Sequence, residues 1–221
     1  LEAKALAQLK HDNVVAVHDM GNFAGRHYLV MDLVSGDSLK QRIDRTGPLP
    51  IDEAAQLGFQ LADAMAFAHE QGILHRDLKP ANVLLDEVSG FAKITDFGLA
   101  KDLNRDGDSL TQTGQVLGTP AYMPPEQAAG EKHLFGPASD VYGLGATIYA
   151  TLTGQAPFGD SDAIGIIKKV LTEDPPPPRE LRPELDDKLQ TIVLKCLEKD
   201  PGHRYQTGGE LRDDLQAYLF G

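Results

Sequence analysis

Three features are scarce in this chain of 221 residues: cysteine, basic charge and long apolar runs. The single cysteine, Cys196, cannot form a disulfide within the chain, and its apolar neighbours at helical spacing predict a core position and a reducing compartment. With 21 Lys and Arg against 33 Asp and Glu, the net charge of −12 opposes a phosphate backbone, so nucleic acid is excluded as an expected partner. The longest weakly polar stretch, residues 143–154, is too short and too rich in Thr and Gly to cross a membrane, and no signal peptide is visible.

The composition that remains, 41% apolar and 24% charged, is that of a soluble chain that buries a real core. Residues 1–10 have the composition of a helix. Two β-prone runs, residues 14–17 and 28–31, are separated by Gly21 and Gly25, which predicts a hairpin.

Beyond Gly36 the hydrophobic period becomes helical. A helix is predicted over residues 52–71 and ends at Gly72, and two short strands, residues 83–85 and 92–94, bracket Gly90. Further helices are predicted over residues 139–154, 161–171, 186–199 and 207–219, with a stiff polyproline connection at 175–178.

The most informative motif is His75-Arg76-Asp77-Leu78-Lys79-Pro80-Ala81-Asn82, which Asp96-Phe97-Gly98 follows further along the chain. Transfer of a phosphoryl group needs hard oxygen ligands for Mg²⁺, a carboxylate near the acceptor hydroxyl and a cation on the phosphate. Asp77, Lys79, Asn82 and Asp96 are side chains of these types. The alternative, that all of them are ordinary loop residues, requires a chance recurrence of too many specified positions. The motif therefore predicts phosphoryl-transfer chemistry.

These motifs resemble those of the protein kinase superfamily, and specifically the eukaryotic-like serine/threonine kinases of bacteria. The resemblance runs from residue 1 to about residue 219. It implies an α+β, protein-kinase-like fold, in which residues 35–221 form a mostly helical C-terminal lobe with the catalytic and activation loops. Residues 1–34 are then a remnant of the β-rich N-terminal lobe, with a helix, two strands and the hinge.

The resemblance also implies roles at the site, with ATP and Mg²⁺ as cofactors. Asp77 resembles the carboxylate that accepts the proton of the substrate hydroxyl, and Lys79 resembles the lysine on the γ-phosphate. Asn82 and Asp96 resemble the Mg²⁺ ligands. Together with Thr119, which matches the threonine that meets the acceptor, Lys79 favours Ser and Thr hydroxyls of protein substrates.

Residues 28–34 resemble the last strand of the N-terminal lobe and the hinge. Met31 would then lie at the back of the adenine pocket, and the backbone of Asp32 and Val34 would contact the adenine. Ser38 falls where a ribose-binding side chain usually lies, and Leu84 where an apolar residue lies under the adenine. A buried edge strand would give the same pattern, so this alternative stays open.

Regulation is predicted from the segment between Asp96-Phe97-Gly98 and Pro124-Pro125-Glu126. In the family, an Arg directly before the catalytic Asp, here Arg76, binds a phosphorylated activation loop. Thr111 and Thr113 are the candidate phosphosites, modified by another copy of the kinase, which implies self-association. The alternative is a Thr-rich surface loop.

Other positions resemble structural residues of the family. Glu2 matches the helix Glu that pairs with a strand Lys, although alone it would be a solvated helix charge. Asp140 matches the residue that holds the backbone of the catalytic loop, and Glu126 with Arg204 matches an ion pair of the lower lobe. The histidines show no metal-ligand spacing: His75 is predicted to pack with Leu6 and Phe97, and His69 and His133 are treated as surface or packing residues.

The chain departs from the family pattern in one serious respect. It contains no Gly-rich phosphate loop and no partner strand Lys before residue 75, and it begins within a helix at Leu1. We therefore expect a fragment of a longer protein, with weak or no activity on its own. The intact Asp77, Asn82 and Asp96 favour an active serine/threonine kinase, and the alternative is a pseudokinase that acts as a binding or scaffold module. The kinase domain is expected in the cytoplasm. Bacterial relatives are often membrane-anchored beyond the kinase domain, so an anchor in the full-length protein stays open.

Overall fold

Two separate antiparallel strand pairs and a set of helices make up the computed structural model of this chain, which describes residues 9–24, 26–97, 120–159 and 161–221. Strand β1, Val17–Phe23, pairs with β2, Arg26–Met31, in a register that runs from Val17 opposite Met31 to Phe23 opposite Arg26. Strand β3, Val83–Leu85, pairs with β4, Ala92–Ile94. The predicted second hairpin, around Gly90, is present.

The first predicted strand, over residues 14–17, is wrong in its position. Val14 forms only an isolated bridge to Ile94, and the N–H of Val15 donates to the Ile94 carbonyl at 2.9 Å. These two valines are buried against the second hairpin, so the ladder with β2 begins later, at Val17, and includes Gly21. Burial against another element has overridden the local β propensity.

The larger helices, apart from α1, follow the predicted periods. They are α1 Leu39–Thr46, α2 Ile51–Glu70, α4 Pro137–Thr153, α5 Ala163–Thr172, α7 Asp187–Cys196 and α8 Gly208–Phe220. In the described ranges two shorter α-helices, α3 Pro125–Ala128 and α6 Pro178–Leu181, are single turns that begin at a proline. Pro178, predicted as part of the polyproline connection, therefore starts a helix, because proline is well accommodated at the first helical position.

The core lies where α2, α4, α7 and α8 meet. Its fully buried side chains include Leu61, Met65, Tyr142, Ile148 and Leu189. Helix α4 is buried along almost its whole length, so other elements cover it on every side rather than on one stripe. Cys196 belongs to this core, as its spacing predicts, and burial raises the pKa of its thiol well above the ordinary value. Among the described residues, no helix is long and apolar enough to cross a bilayer.

Candidate active site

The segment between α2 and β3 carries the predicted catalytic residues, and α4 fixes its backbone. Asp140, in the first turn of α4, accepts the N–H of His75 at 2.8 Å and the N–H of Arg76 at 2.7 Å. Arg76 has a φ of 65°, in the left-handed region of backbone conformation that residues other than glycine rarely adopt. Such a conformation persists only where surrounding contacts hold it, and the two hydrogen bonds to Asp140 do so.

Helix α4 also approaches the loop closely at Gly143. A Cβ at this position would lie 2.9 Å from Leu78 Cβ and 3.1 Å from the Leu78 carbonyl oxygen. Leu78 lies between Asp77 and Lys79 in sequence, so the glycine lets the catalytic loop rest directly on the buried helix.

His75 is a packing residue in the structure. Its side chain is fully buried, and its ring lies 4.7 Å from the Phe97 ring. Nδ1 accepts the N–H of Asp77 at 3.2 Å, which assigns the proton to Nε2, and Nε2 donates to the Thr95 carbonyl at 3.0 Å. Burial lowers the pKa of His75 below its ordinary value, although the charge of Asp140 opposes the change. The neutral ring of His75 therefore links the backbone of Asp77 to the backbone of Thr95, directly after β4. Leu6, the other predicted packing partner, lies outside the described residues.

Three of the predicted catalytic and metal-binding side chains meet at Asp77. Lys79 Nζ lies 2.8 Å from Asp77 Oδ2, and Asn82 Nδ2 lies 2.8 Å from the Asp77 carbonyl and 3.2 Å from Oδ2. Asp77 keeps 37% of its side chain exposed, whereas Lys79 keeps 19%. The carboxylate is thus oriented by two donors but remains accessible to a substrate hydroxyl.

Asp96 follows directly after β4, and the β3–β4 pairing sets its place. The N–H of Thr95 donates to the Asn82 carbonyl at 3.0 Å, which brings the end of β4 next to Asn82. Asp96 is exposed and has a φ of 59°, the same rare left-handed conformation as Arg76.

The donor set at Asn82 and Asp96 fits Mg²⁺. The amide nitrogen of Asn82 is used by Asp77, so its Oδ1 is the atom left for a metal, and Asp96 supplies a carboxylate. Both are hard oxygen ligands of the kind that Mg²⁺ prefers.

Met31 lines an apolar recess beside the candidate site. The recess is bounded by β1, β2 and the start of the segment after β4, and its lining residues are Leu9, Val14, Val15, Val17, Leu29, Met31, Thr95, Asp96 and Phe97. Thr95 Oγ1 donates to Met31 Sδ at 3.8 Å. Asp96 and Phe97 thus connect the recess to the end of the site where Asn82 lies.

The other predicted ATP-binding residues lie just after β2, in β3 and at the start of α1. The Asp32 N–H donates to the Ala16 carbonyl at 3.0 Å, so an adenine contact through Asp32 would use its carbonyl. The side chain of Asp32 pairs with His18 at 2.6 Å. Val34 and Leu84 are half-buried, and Leu84 forms an isolated bridge with Ser38.

Ser38 has a structural function that the sequence analysis missed. It is the N-cap of α1: its hydroxyl oxygen accepts the Gln41 N–H at 3.2 Å, and Gln41 Oε1 accepts the Ser38 N–H at 2.8 Å. The Ser-x-x-Gln spacing, which is a capping-box pattern, was the signal for it.

Glu126 and Arg204 form a buried ion pair at the base of the site. Two hydrogen bonds of 2.8 Å join the guanidinium to the carboxylate, and the arginine also donates to the carbonyls of Glu198, Lys199 and Ala138. Burial by itself would raise the pKa of Glu126, but the hydrogen bonds and charge of Arg204 outweigh it and hold that pKa below its ordinary value. The pair ties α3 to the segment before α8.

Four predicted site residues fall in the segments that the structure does not describe. Glu2, Thr111, Thr113 and Thr119 lie outside the described residues. Arg76 is described and half-buried, directly before Asp77.

His69 is the second residue whose part the sequence analysis missed. Of the two histidines predicted as surface or packing residues, His69 is a packing residue with a side chain that is 3% exposed, and His133 is exposed. The contact of His69 with Asp140 was not predicted. The signal was its position four residues after Met65, on the apolar stripe of α2.

Comparison with known proteins places this geometry in a family. The family described as protein kinase domain matches residues 1–213. The chain is 42% identical over 214 residues to "Probable serine/threonine-protein kinase PknB" of Lactococcus lactis, covering 97% of this chain and 33% of that protein. It is 38% identical over 216 residues to serine/threonine-protein kinase PrkC of Bacillus subtilis, covering 98% of this chain and 33% of that protein.

Solved structures give the same result. The kinase domain of PknI from Mycobacterium tuberculosis superposes with a TM-score of 0.77 at 28% identity, over 98% of this chain and 76% of that one. Rad53 1–466 in complex with AMP-PNP gives a TM-score of 0.80 at 26% identity, over 99% of this chain and 53% of that one.

The chain spans about a third of the length of the curated relatives PknB and PrkC. Within that span the predicted protein-kinase-like fold is confirmed. These relatives are named serine/threonine-protein kinases, and the chain belongs to the protein kinase family.

Proposed function

We propose that the protein transfers the γ-phosphate of ATP to Ser and Thr hydroxyls of protein substrates. Residues 35–221 would supply the C-terminal lobe and residues 1–34 part of the N-terminal lobe. The observation that carries the proposal is the arrangement around Asp77, whose carboxylate is oriented by Lys79 and Asn82 and remains exposed. A scaffold protein has no physical need for such an arrangement.

In the proposed mechanism, Asp77 accepts the proton of the attacking hydroxyl as the new oxygen–phosphorus bond forms. The bond between the γ-phosphorus and the oxygen that bridges it to the β-phosphate breaks, and ADP is the leaving group. Lys79 stabilises the negative charge of the transferred group, and its contact with Asp77 places the cation beside the base. Asn82 Oδ1 and Asp96 would hold Mg²⁺, which neutralises phosphate charge when bound. His75 and Asp140 orient the loop without contacting the substrate.

The nucleotide would lie between the hinge and the second hairpin. Met31 would close the adenine pocket at the back, the carbonyl of Asp32 and the backbone of Val34 would contact the base, and Leu84 would pack beneath it. Ser38 would contact the ribose with the same hydroxyl that caps α1. Stability and nucleotide affinity must therefore be measured in parallel to separate the two roles.

We further propose that activity is controlled by the segment before α3. Phosphate on Thr111 or Thr113 would bind Arg76, since a guanidinium matches a phosphate with two hydrogen bonds. Thr119 would contact the acceptor residue. A second copy of the protein would be the phosphorylating partner.

The test is transfer of phosphate from ATP·Mg²⁺ to the protein itself and to a generic Ser/Thr substrate. We expect transfer by the full-length product of the gene, and a loss of roughly 10²–10⁴-fold in its Asp77→Asn variant, because Asn cannot accept the proton. Asp213→Asn, a change at a side chain that is 64% exposed, is the matched control and should leave the rate unchanged.

The chain of 221 residues is assayed beside the full-length product. We expect it to transfer weakly, because its sequence contains no Gly-rich loop to cover the phosphates. If the folded full-length protein binds nucleotide but transfers no phosphate, the kinase proposal is wrong and the pseudokinase alternative is favoured.

A further inference from the structure

His69, near the end of α2, joins two parts of the chain that are far apart in sequence. Its Nε2 lies 3.1 Å from Asp140 Oδ2, and its Nδ1 lies 3.2 Å from the backbone nitrogen of Gly208. A backbone N–H can only donate, so Nδ1 is the acceptor and the proton of the neutral ring is on Nε2. His69 therefore accepts from the start of α8 and donates to α4.

Asp140 collects three donors on one buried carboxylate, whose side chain is 1% exposed. Oδ1 accepts from Arg76, and Oδ2 accepts from both His75 and His69. Rotation of the carboxylate about its own axis would break the bonds to the loop backbone. The bond from His69 opposes that rotation, so the side chain helps to hold Arg76 in its left-handed conformation.

Gly208 makes the other contact possible. A Cβ at this position would lie 2.6 Å from the Ala66 nitrogen and 2.9 Å from the Ala62 carbonyl oxygen, so only glycine lets α8 approach α2 this closely. The first N–H groups of a helix have no partner within the helix, and His69 satisfies the one on Gly208.

We propose that His69 is a positioning residue for phosphoryl transfer, which couples the start of α8 to the catalytic loop through Asp140. The chain of contacts runs from the Gly208 N–H to His69, from His69 to Asp140, and from Asp140 to the backbone of His75 and Arg76. Asp77 follows next in sequence, and its N–H is bonded to His75. The inference rests on the proposed kinase activity for its kinetic readout only.

Two substitutions of His69 separate its two bonds. His69→Gln places an amide at the position of Nε2, where it still donates to Asp140, but removes the acceptor for Gly208. His69→Asn keeps an acceptor at the position of Nδ1 but removes the donor to Asp140. We expect kcat to fall about five- to tenfold in the Asn variant, the effect of one lost hydrogen bond, with KM for ATP unchanged. The Gln variant should keep most of its kcat.

Hydrogen exchange gives a readout that does not depend on activity. The amides of His75 and Arg76 should exchange about fivefold faster or more in His69→Asn than in wild type, and at nearly the wild-type rate in His69→Gln. If the wild type transfers no phosphate, the kinase proposal fails, while this comparison still decides the role of His69. Equal exchange and equal kcat in the two variants, at equal stability, would overturn the inference.

The glycine pair at the start of α8 provides the second arm. Gly208→Ala should force α8 and the part of α2 around Ala62 and Ala66 apart. Because α2 carries His69, this should displace His69 from Asp140 as well as from Gly208 and speed exchange at His75 and Arg76. Gly209→Ala should not, because its Cβ would lie 3.5 Å from Thr207 Oγ1 and 3.8 Å from Ala66 Cβ, which are ordinary contacts. His133→Gln, at an exposed site, controls for the loss of a histidine. Unchanged exchange in Gly208→Ala would show that α8 is not coupled to the loop.

Discussion

Glu126 and Arg204 are both withdrawn from solvent, with side-chain exposures of 1% and 0%. Two buried charges are tolerated only where each has enough partners. Arg204 has the carboxylate and three backbone carbonyls, and it also lies over the Tyr142 ring at 5.0 Å. At this scale, hydrogen-bond satisfaction explains why these two residues, distant in sequence, are held together.

Glu126→Gln should destabilise the fold by about 3–5 kcal/mol near neutral pH, because it leaves the Arg204 guanidinium buried without its counter-charge. The pKa of Glu126 in the folded state lies below its ordinary value of 4.5, so the ion pair contributes fully to the free energy of unfolding above pH 4.5. This contribution is lost as the pH falls through the pKa of the folded state. The difference in unfolding free energy between wild type and variant, measured in urea, should therefore narrow below about pH 4.5.

The control for this comparison is Asp213→Asn, which removes a charge from an exposed pair with Arg212. Its effect should stay within about 0.5 kcal/mol at all pH values. A Glu126→Gln difference that is equally small at neutral pH, or that does not depend on pH, would contradict the assigned role of the buried pair.

Single residues differ in how far the sequence predicts them. The cluster at Asp77 could be anticipated because catalysis requires particular side-chain types at fixed spacing. His69 could not, because its importance depends on α4 and α8, which are distant in sequence. Gly143 and Gly208 belong to the same class, since the reason for each glycine is a neighbour that only the folded chain brings close.

At the scale of elements, the helix periods predict the helices well, whereas the strands depend on what buries them. The helix predicted over residues 52–71 is Ile51–Glu70 in the structure. The first hairpin is displaced because Val14 and Val15 are buried against β4. Helix α1 was not predicted separately, although its capping box is legible in the sequence.

Ser38→Ala should shorten or loosen α1 and lower the free energy of unfolding by about 1 kcal/mol, the usual effect of a lost N-cap. Ser38→Asp should restore most of it, because a carboxylate oxygen also accepts the Gln41 N–H and suits the positive end of the helix. Thermal or urea unfolding measures this effect. Nucleotide affinity, measured in parallel, tests the ribose contact separately.

Lys40→Ala, at an exposed position of the same helix, is the matched control and should change stability by less than about 0.5 kcal/mol. Equal stability of wild type and Ser38→Ala would indicate that the cap contributes nothing.

At the scale of the whole molecule, the segment before β1 is attached to the helical part through Asn13. Its Nδ2 donates to the Ala92 carbonyl at 2.8 Å and lies 3.3 Å from Gln60 Oε1, which also accepts the Ala92 N–H at 3.0 Å. His11 adds a contact with Asp63, and Asp63 also contacts Arg212 of α8. These polar contacts join segments that are distant in sequence, and no local periodicity indicates them. They could therefore not be predicted from the sequence, even where the resemblance predicted two lobes.

The candidate regulation involves two whole molecules, so it should depend on concentration. Arg76 directly precedes Asp77 in sequence. A phosphothreonine bound at Arg76 would therefore be held beside the catalytic residue, as the product of the reaction and not as its acceptor. We therefore expect Thr111 and Thr113 to be phosphorylated by a second copy. An active full-length protein mixed with its Asp77→Asn variant should place phosphate on residues 109–113 of the inactive copy, as measured by mass spectrometry.

The initial rate of phosphorylation per molecule should rise with protein concentration, and the Asp77→Asn variant alone should stay unmodified. A rate per molecule that does not change with concentration, or phosphate confined to the active copy, would mean that each molecule modifies itself.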